Sequence, residues 1–173
     1  LNPGTCARVR YAVLGDIHAN LQALSAVRED MLEMETERVL CVGDVVGYGA
    51  NPRECMEMME ELDAVVVTGN HDWAVLGRVS VEYFNADARN SVDWTRSRLT
   101  RKQLSRMGDW PLQREVDGIT LAHSSMFAPE YFDYIQTHYD VQLAFDYLRT
   151  HIGFVGHSHV PVMFANTQPV SCF

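Results

Sequence analysis

Four of the seven histidines of this chain fall in short runs that also hold a carboxylate, an amide or glycine, and a fifth, His123, directly follows an apolar run. The segments are Gly15-Asp16-Ile17-His18, Gly43-Asp44, Gly69-Asn70-His71-Asp72, Leu121-Ala122-His123 and Gly156-His157-Ser158-His159. At a strand end, residues i and i+2 point the same way, so Asp16 with His18, and His157 with His159, are each placed to aim two donor atoms at one spot. The pooled donors are carboxylate oxygens, an amide oxygen and imidazole nitrogens, without thiolate. That set suits Mn, Fe, Zn or a similar divalent ion rather than a Cys-rich structural zinc site. Taken singly the segments have plainer readings. Asp-x-His after a strand is often a cap or surface turn, Gly-Asp is a common turn pair, and a lone His123 reads as a satisfied core histidine. Five such segments in this order, each after an expected strand, are what chance explains poorly.

The elements that must position these residues alternate. Residues 8–15 read as a strand, and Asn20 is placed to cap a helix whose apolar positions Leu21, Leu24, Val27 and Met31 keep a helical period. Residues 38–43 repeat the strand pattern, Asn51-Pro52 opens a helix to about Leu62, and residues 64–68 form a third strand. Strands apolar on both faces, alternating with helices, indicate a largely parallel sheet covered on both sides. Ligands of open α/β sheets bind in the crevice outside the carboxyl ends of the strands, which would gather the five segments. Residues 73–107 hold helical fragments, with Ser80 and Thr100 as cap candidates, and read as a helical insertion over the sheet. Asp117-Gly118 marks a hairpin within residues 112–123. Asp140 then caps a helix to about Thr150, and residues 152–156 and 160–165 give further strands. No linker divides the chain, which reads as one domain over residues 1–173.

The 173 residues are 47% hydrophobic and 21% charged, and no apolar run approaches the roughly 18 residues that a membrane-spanning helix needs. A formal charge of −9 argues against nonspecific attraction to nucleic acid or anionic lipid. The charge is uneven. Eleven acids and two arginines lie between Glu29 and Asp63, whereas seven bases and three acids lie between Arg78 and Arg106. Both stretches read as solvated helix faces, or the basic insertion overhangs a site that receives an anion. Cys6, Cys41, Cys55 and Cys172 lack CxxC spacing, and the start of the chain lacks a secretory signal, so a reducing cytoplasm is the expected address. The chain opens on Leu1 rather than Met, compatible with a trimmed sequence.

The ordered set Asp-x-His, Gly-Asp, Gly-Asn-His-Asp, a lone His and Gly-His-x-His resembles the signature of the calcineurin-like metallophosphoesterases, from about Tyr11 to Pro161. Asp16-Ile-His-Ala-Asn-Leu-Gln-Ala-Leu24, the run Gly43 to Pro52, and His123-Ser-Ser125 leading to Pro129 and Tyr134-Ile135 look like the small prokaryotic phosphodiesterase branch. The resemblance implies an α/β four-layer sandwich of two mixed β-sheets flanked by helices. It implies one divalent ion held by Asp16, His18, Asp44 and His159, and a second by Asp44, Asn70, His123 and His157. Two such ions (Mn, Fe, Zn or Ni), about 4 Å apart, lower the pKa of a shared water and clamp an in-line phosphoryl displacement. His71 would face the phosphate as general acid or charge stabiliser, with Asp72 orienting it. The expected substrate is a small phosphoester, preferably a nucleotide-type or other small phosphodiester. A phosphomonoesterase or nucleotidase on the same metal pair is the alternative, and a non-catalytic retromer-like scaffold is the alternative outside enzymes. A homo-oligomer fits either.

Several departures narrow the reading. Asp44 is followed by Val-Val-Gly-Tyr-Gly, so the arginine that serine/threonine phosphatases and symmetrical dinucleoside tetraphosphate hydrolases carry just beyond this Asp is missing. Gly47 stands where purple acid phosphatases place a tyrosine ligand, and Tyr48 is expected to pack in its loop. Trp73, Trp94 and Trp110 read as packing residues, with Trp73 the one placed to border an aromatic leaving group. His138 and His151 read as surface or helix-end residues. The chain ends soon after Gly-His-x-His, where the branch continues through further strands. Either those strands are missing from the sequence or the second sheet is shorter.

Overall fold

The computed structural model describes residues 9–82, 84–167 and 171–172. Arg8, at the head of the first expected strand, and Cys6 lie outside them. Strands β1 (Tyr11–Leu14), β2 (Arg38–Cys41) and β3 (Val65–Val66) form a parallel sheet in that order. Helix α1 (Leu21–Glu33) joins β1 to β2, and α2 (Pro52–Glu61) joins β2 to β3. Asn20 caps α1 as expected, its Oδ1 accepting from the Ala23 N–H at 3.1 Å. Of the α1 face, Leu24 and Met31 are buried, while Val27 stays 39% exposed.

The insertion consists of α3 (Asn70–Leu76), α4 (Ala86–Arg98) and α5 (Arg101–Gly108). Thr100 caps α5 with a reciprocal bond to Gln103. Ser80 caps no helix. Its hydroxyl accepts from the Glu82 N–H, and Asn85 supplies the α4 cap instead.

The hairpin at Asp117-Gly118 joins β4 (Gln113–Val116) and β5 (Ile119–Ala122) antiparallel, and β6 (Ile152–Phe154) adds parallel to β5. Mixed pairing is therefore confined to the second sheet, the first being parallel throughout. Helix α6 (His138–Tyr147) starts earlier than Asp140: Thr137 is the cap, and Asp140 is the third helical residue of a capping box. The strand expected over residues 160–165 contracts to β7 (Phe164–Ala165), paired with β8 (Ser171–Cys172).

Period-two alternation decides the layers. Leu40 and Val42 face the second sheet in a cluster with Val67, Ile119 and Leu121. Cys41, between them, faces the helices with Leu24, Met56, Met59 and Val75. Helices thus cover one face of the parallel sheet and the mixed sheet covers the other, with Leu148, just past α6, against Gly153 of β6.

Candidate metal centre

Each of the five segments leaves a strand or opens a helix at the same end of the two sheets. β1 leads to Asp16 and His18, β2 to Asp44, β3 to Asn70 and His71 at the start of α3, β5 to His123, and β6 to His157 and His159. The strands stop short of the donor residues, so strand alternation does not converge the two chelating pairs. Left-handed turns do. Asp16 (φ 50°), His18 (47°), Asp44 (52°), His157 (68°) and His159 (54°) all have positive φ. Such backbone in non-glycine residues costs on the order of 1–3 kcal/mol each and persists only where the surroundings hold it. Gly69 shows how closely the loops pack. A Cβ there would lie 2.0 Å from Asp44 Oδ1 and 2.5 Å from its backbone nitrogen.

The donor atoms meet around Asp44, a carboxylate that is 1% exposed. Its Oδ1 accepts from the His71 N–H at 2.9 Å. Its Oδ2 lies 3.3 Å from His123 Nε2 and 3.7 Å from His18 Nε2. His123 Nδ1–H donates to the Val42 carbonyl at 2.7 Å, which leaves Nε2, 3.0 Å from Asn70 Oδ1, to share a proton or a cation with its oxygen neighbours. His18 Nδ1–H donates to the Val46 carbonyl at 3.3 Å, and its Nε2 sits 3.2 Å from His159 Nε2. His159 Nε2 is in turn 3.4 Å from Asp16 Oδ1. Lone pairs facing lone pairs at these distances repel unless a proton or a cation lies between them. The backbone carbonyls that hold the opposite ring nitrogens of His18 and His123 are what metal-ligating histidines ordinarily use to fix their tautomer.

Asp16 binds the fifth segment: both of its oxygens accept from the His157 N–H, at 3.0 and 3.1 Å. His157 Nε2 is buried without a hydrogen-bond partner. Three groups of potential ligands, Asp16 with His18 and His159, His18 with Asp44 and His71, and Asp16 with Asp44 and His123, each have donor atoms within 4.8 Å of one another. His157 is in none of the three groups but lines the same cleft with its Nε2 unpartnered, and the donor set as a whole fits divalent cations.

Protonation equilibria follow the crowding. Burial alone would raise the Asp44 carboxyl, but the adjacent imidazoles, His123 foremost, hold it at about 2. Burial opposes a charge on His123, yet Asp44 brings it up to about 9. Burial lowers His71 to about 4, and burial with the His123 charge lowers His157 to about 4.

Asp72 does not bond the His71 ring. Its Oδ2 accepts from the Asp44 and Gly69 N–H groups, both at 2.9 Å, and its Oδ1 from the Val46 N–H at 3.2 Å. It clamps the loops after β2 and β3 together, so any orienting of His71 runs through the backbone. The His71 Nδ1 has no partner, and its ring rests among Tyr48, Phe84 and His18 at centroid distances of 4.6, 5.0 and 4.9 Å.

Other expectations change here. Tyr48 is more than a loop-packing residue: it is 47% exposed, sits edge-on to His18 and lines the cleft over the site. Trp73 packs edge-on against Phe132, and the cleft aromatics are instead Tyr48, Phe84, Tyr131, Phe132 and Tyr134. The arginines of the insertion do not reach in. Arg106 pairs with Glu60, Arg98 lies over Trp94, and the described residues lining the cleft include neither Lys nor Arg. Apart from Tyr48, in the run Gly43 to Pro52, and Tyr134, in the Tyr134-Ile135 pair, these wall residues carry no motif; a run of aromatics over residues 131–134 signals Tyr131 and Phe132, and nothing signals Phe84. His138 and His151 are exposed and stand outside the site.

Two layered sheets carry a histidine and carboxylate cluster at one end, an architecture built around a candidate metal site, and the comparisons name its family. The description of the calcineurin-like phosphoesterase superfamily domain matches residues 9–172, and the chain belongs to that family. An uncharacterised protein of Methanocaldococcus jannaschii is 38% identical over 161 residues, 91% of this chain and 64% of its own length. A metallophosphoesterase of Sphaerobacter thermophilus superposes with a TM-score of 0.76 at 37% identity, over 89% of this chain and 62% of its own. A hypothetical protein of Pyrococcus horikoshii shares the fold, with a TM-score of 0.79 at 20% identity, over 92% and 73% of the two chains. The chain thus spans just under two thirds of the first two relatives.

Proposed function

We propose that this chain is a metal-dependent phosphoester hydrolase that acts on small phosphodiesters. The observation that carries the reading is the convergence of donor atoms of Asp44, His18, His123, Asn70, Asp16 and His159 around one carboxylate, Asp44. Asp16, His18, Asp44 and His159 would hold one divalent ion. Asp44, Asn70, His123 and His157 would hold the other, with one carboxylate serving both. When bound, two such ions supply Lewis acidity toward phosphoryl oxygens and a more acidic water. Manganese heads the candidate metals, with Fe, Zn and Ni on the same nitrogen and oxygen ligands.

His71 is assigned to the phosphate rather than to a metal. Its ring opens onto the cleft, where it can stabilise the charge of the departing ester oxygen, or hand it a proton once the negative charge of a bound phosphate offsets the burial that holds the free ring at about 4. Asp72 keeps the Asp44 and Asn70 loops at fixed spacing. Both sheets feed this site, which supports treating the chain as one domain with a helical insertion. The thiols of Cys41, Cys55 and Cys172 are free, which supports a reducing cytoplasm; no helix among the described residues is long and apolar enough to cross a membrane.

The test is hydrolysis of bis-p-nitrophenyl phosphate beside p-nitrophenyl phosphate by metal-stripped protein titrated with Mn, Ni, Zn and Mg, with Asp44→Asn as control. Diester turnover that requires added metal and vanishes in the control is the expected result. Turnover of the monoester alone would move the assignment to a phosphomonoesterase. Absence of turnover with metals bound would contradict the enzyme reading.

A further inference from the structure

We infer that the cleft beside the donor cluster is a subsite for a planar aromatic group esterified to a single phosphate, a specificity that rests on the phosphodiesterase reading. A space of about 380 Å³ opens there, walled by Tyr48, Phe84, Tyr131, Phe132 and Tyr134. It is within the size range of small-molecule sites, about 300–1,000 Å³. It shares Tyr48, Asn70, His71, Tyr134 and His157 with the smaller polar space over His18 and Asp44. A phosphate held at the donors therefore has one of its ester groups at the mouth of the aromatic space.

Three of the five wall rings, Tyr48, Tyr131 and Tyr134, stay open to solvent. Tyr134 stacks one face on His157 at 4.0 Å and 21°, yet remains 51% exposed, so its other face is free. Tyr131 is 71% exposed at the rim. Exposed aromatic rings gathered on a concavity are a stacking platform, and removing one by alanine substitution weakens the binding of a stacked ring. Ser80 and Asn85 supply polar atoms for the edge of such a ring. Charge points the same way. Without Lys or Arg among the described lining residues, and with a net charge of −9, a second phosphate entering this space would meet no cation. A neutral ring fits where a polyphosphate tail does not.

Binding of two non-hydrolysable probes separates this specificity from the reading beneath it. Calorimetry on the manganese-loaded full chain would compare phenylphosphonate with methylphosphonate, for wild type, Tyr131→Ala and Tyr134→Leu. Circular dichroism confirms folding, and Tyr131 is exposed enough to be removed without opening the core. Phenylphosphonate is expected to bind wild type about tenfold more tightly, with that preference reduced to about threefold or less in both variants. Equal affinity of the two probes for wild type, or an undiminished preference in both variants, would overturn the subsite while leaving the phosphoester reading intact. Failure of both probes to bind would contradict the phosphoester reading and remove the subsite with it.

Discussion

Single residues carry the chemistry, and His71 separates ligation from catalysis. Its donor atom lies within 4.8 Å of those of His18 and Asp44, so proximity alone permits it to bind a metal. Its place on the cleft wall, between Tyr48 and Phe84, favours the phosphate. His71→Ala is expected to keep its metal content by elemental analysis while losing about 100-fold or more in kcat, the scale of a general acid. Loss of metal along with activity would make His71 a ligand. The donor residues themselves were legible in the sequence because histidines beside glycine after apolar strands have few structural uses. The cleft aromatics were largely not. Phe84 and Tyr131 have no periodic or spacing signature, and only tertiary packing separates them from Trp73, which turns away.

Elements hold these residues at their spacing, and the clamp made by Asp72 is the most exposed to test. Burial first, and the nearby Asp44 charge second, push its carboxyl up to about 7, against the pull of its three backbone N–H donors. In Asp72→Asn at least one of those donors loses its acceptor, at a cost of about 1–3 kcal/mol. Urea unfolding of the metal-free protein checks this, and an unchanged midpoint would mean that the loops do not need the clamp. A second element-scale contact joins the hairpin to the parallel sheet: Asp117 accepts from the Tyr11 hydroxyl at 2.6 Å and pairs with Arg38. Both partners, Tyr11 first, lower the Asp117 carboxyl below its ordinary value. Its contribution is therefore complete above the unfolded-state carboxyl pKa and is lost as pH falls through the lower folded-state value. Asp117→Asn is expected to shrink the stability difference between pH 7 and pH 3, less so in high salt because the pair is exposed. A pH profile identical to wild type would contradict it. Sequence periodicity located these elements well where caps and apolar alternation agree, as at α1 and β2. It overextended β3 and β7, because apolar residues flanking the paired stretch lie in loops whose pairing depends on distant partners, such as the Thr68 N–H on the Pro111 carbonyl.

At the scale of the whole molecule, five segments separated by up to about 140 residues share one site, so ligand binding and folding are coupled. A site of crowded like-polarity donors, several on left-handed backbone, is a stability cost that bound cations offset. Manganese at 100 times its dissociation constant should stabilise the fold by about 2.7 kcal/mol per independent site. For a domain of this length that corresponds to a rise of about 5–10 °C in Tm, reversed by chelator. No shift in Tm would mean the site does not bind manganese in the folded state. The central claim, two ions sharing Asp44, is tested most directly by anomalous diffraction from crystals grown with manganese. Two peaks about 3.5–4 Å apart, flanking the Asp44 carboxylate with His157 Nε2 turned to one of them, are the result expected. A single peak, or one ligated by His71 with His157 left free, would contradict it.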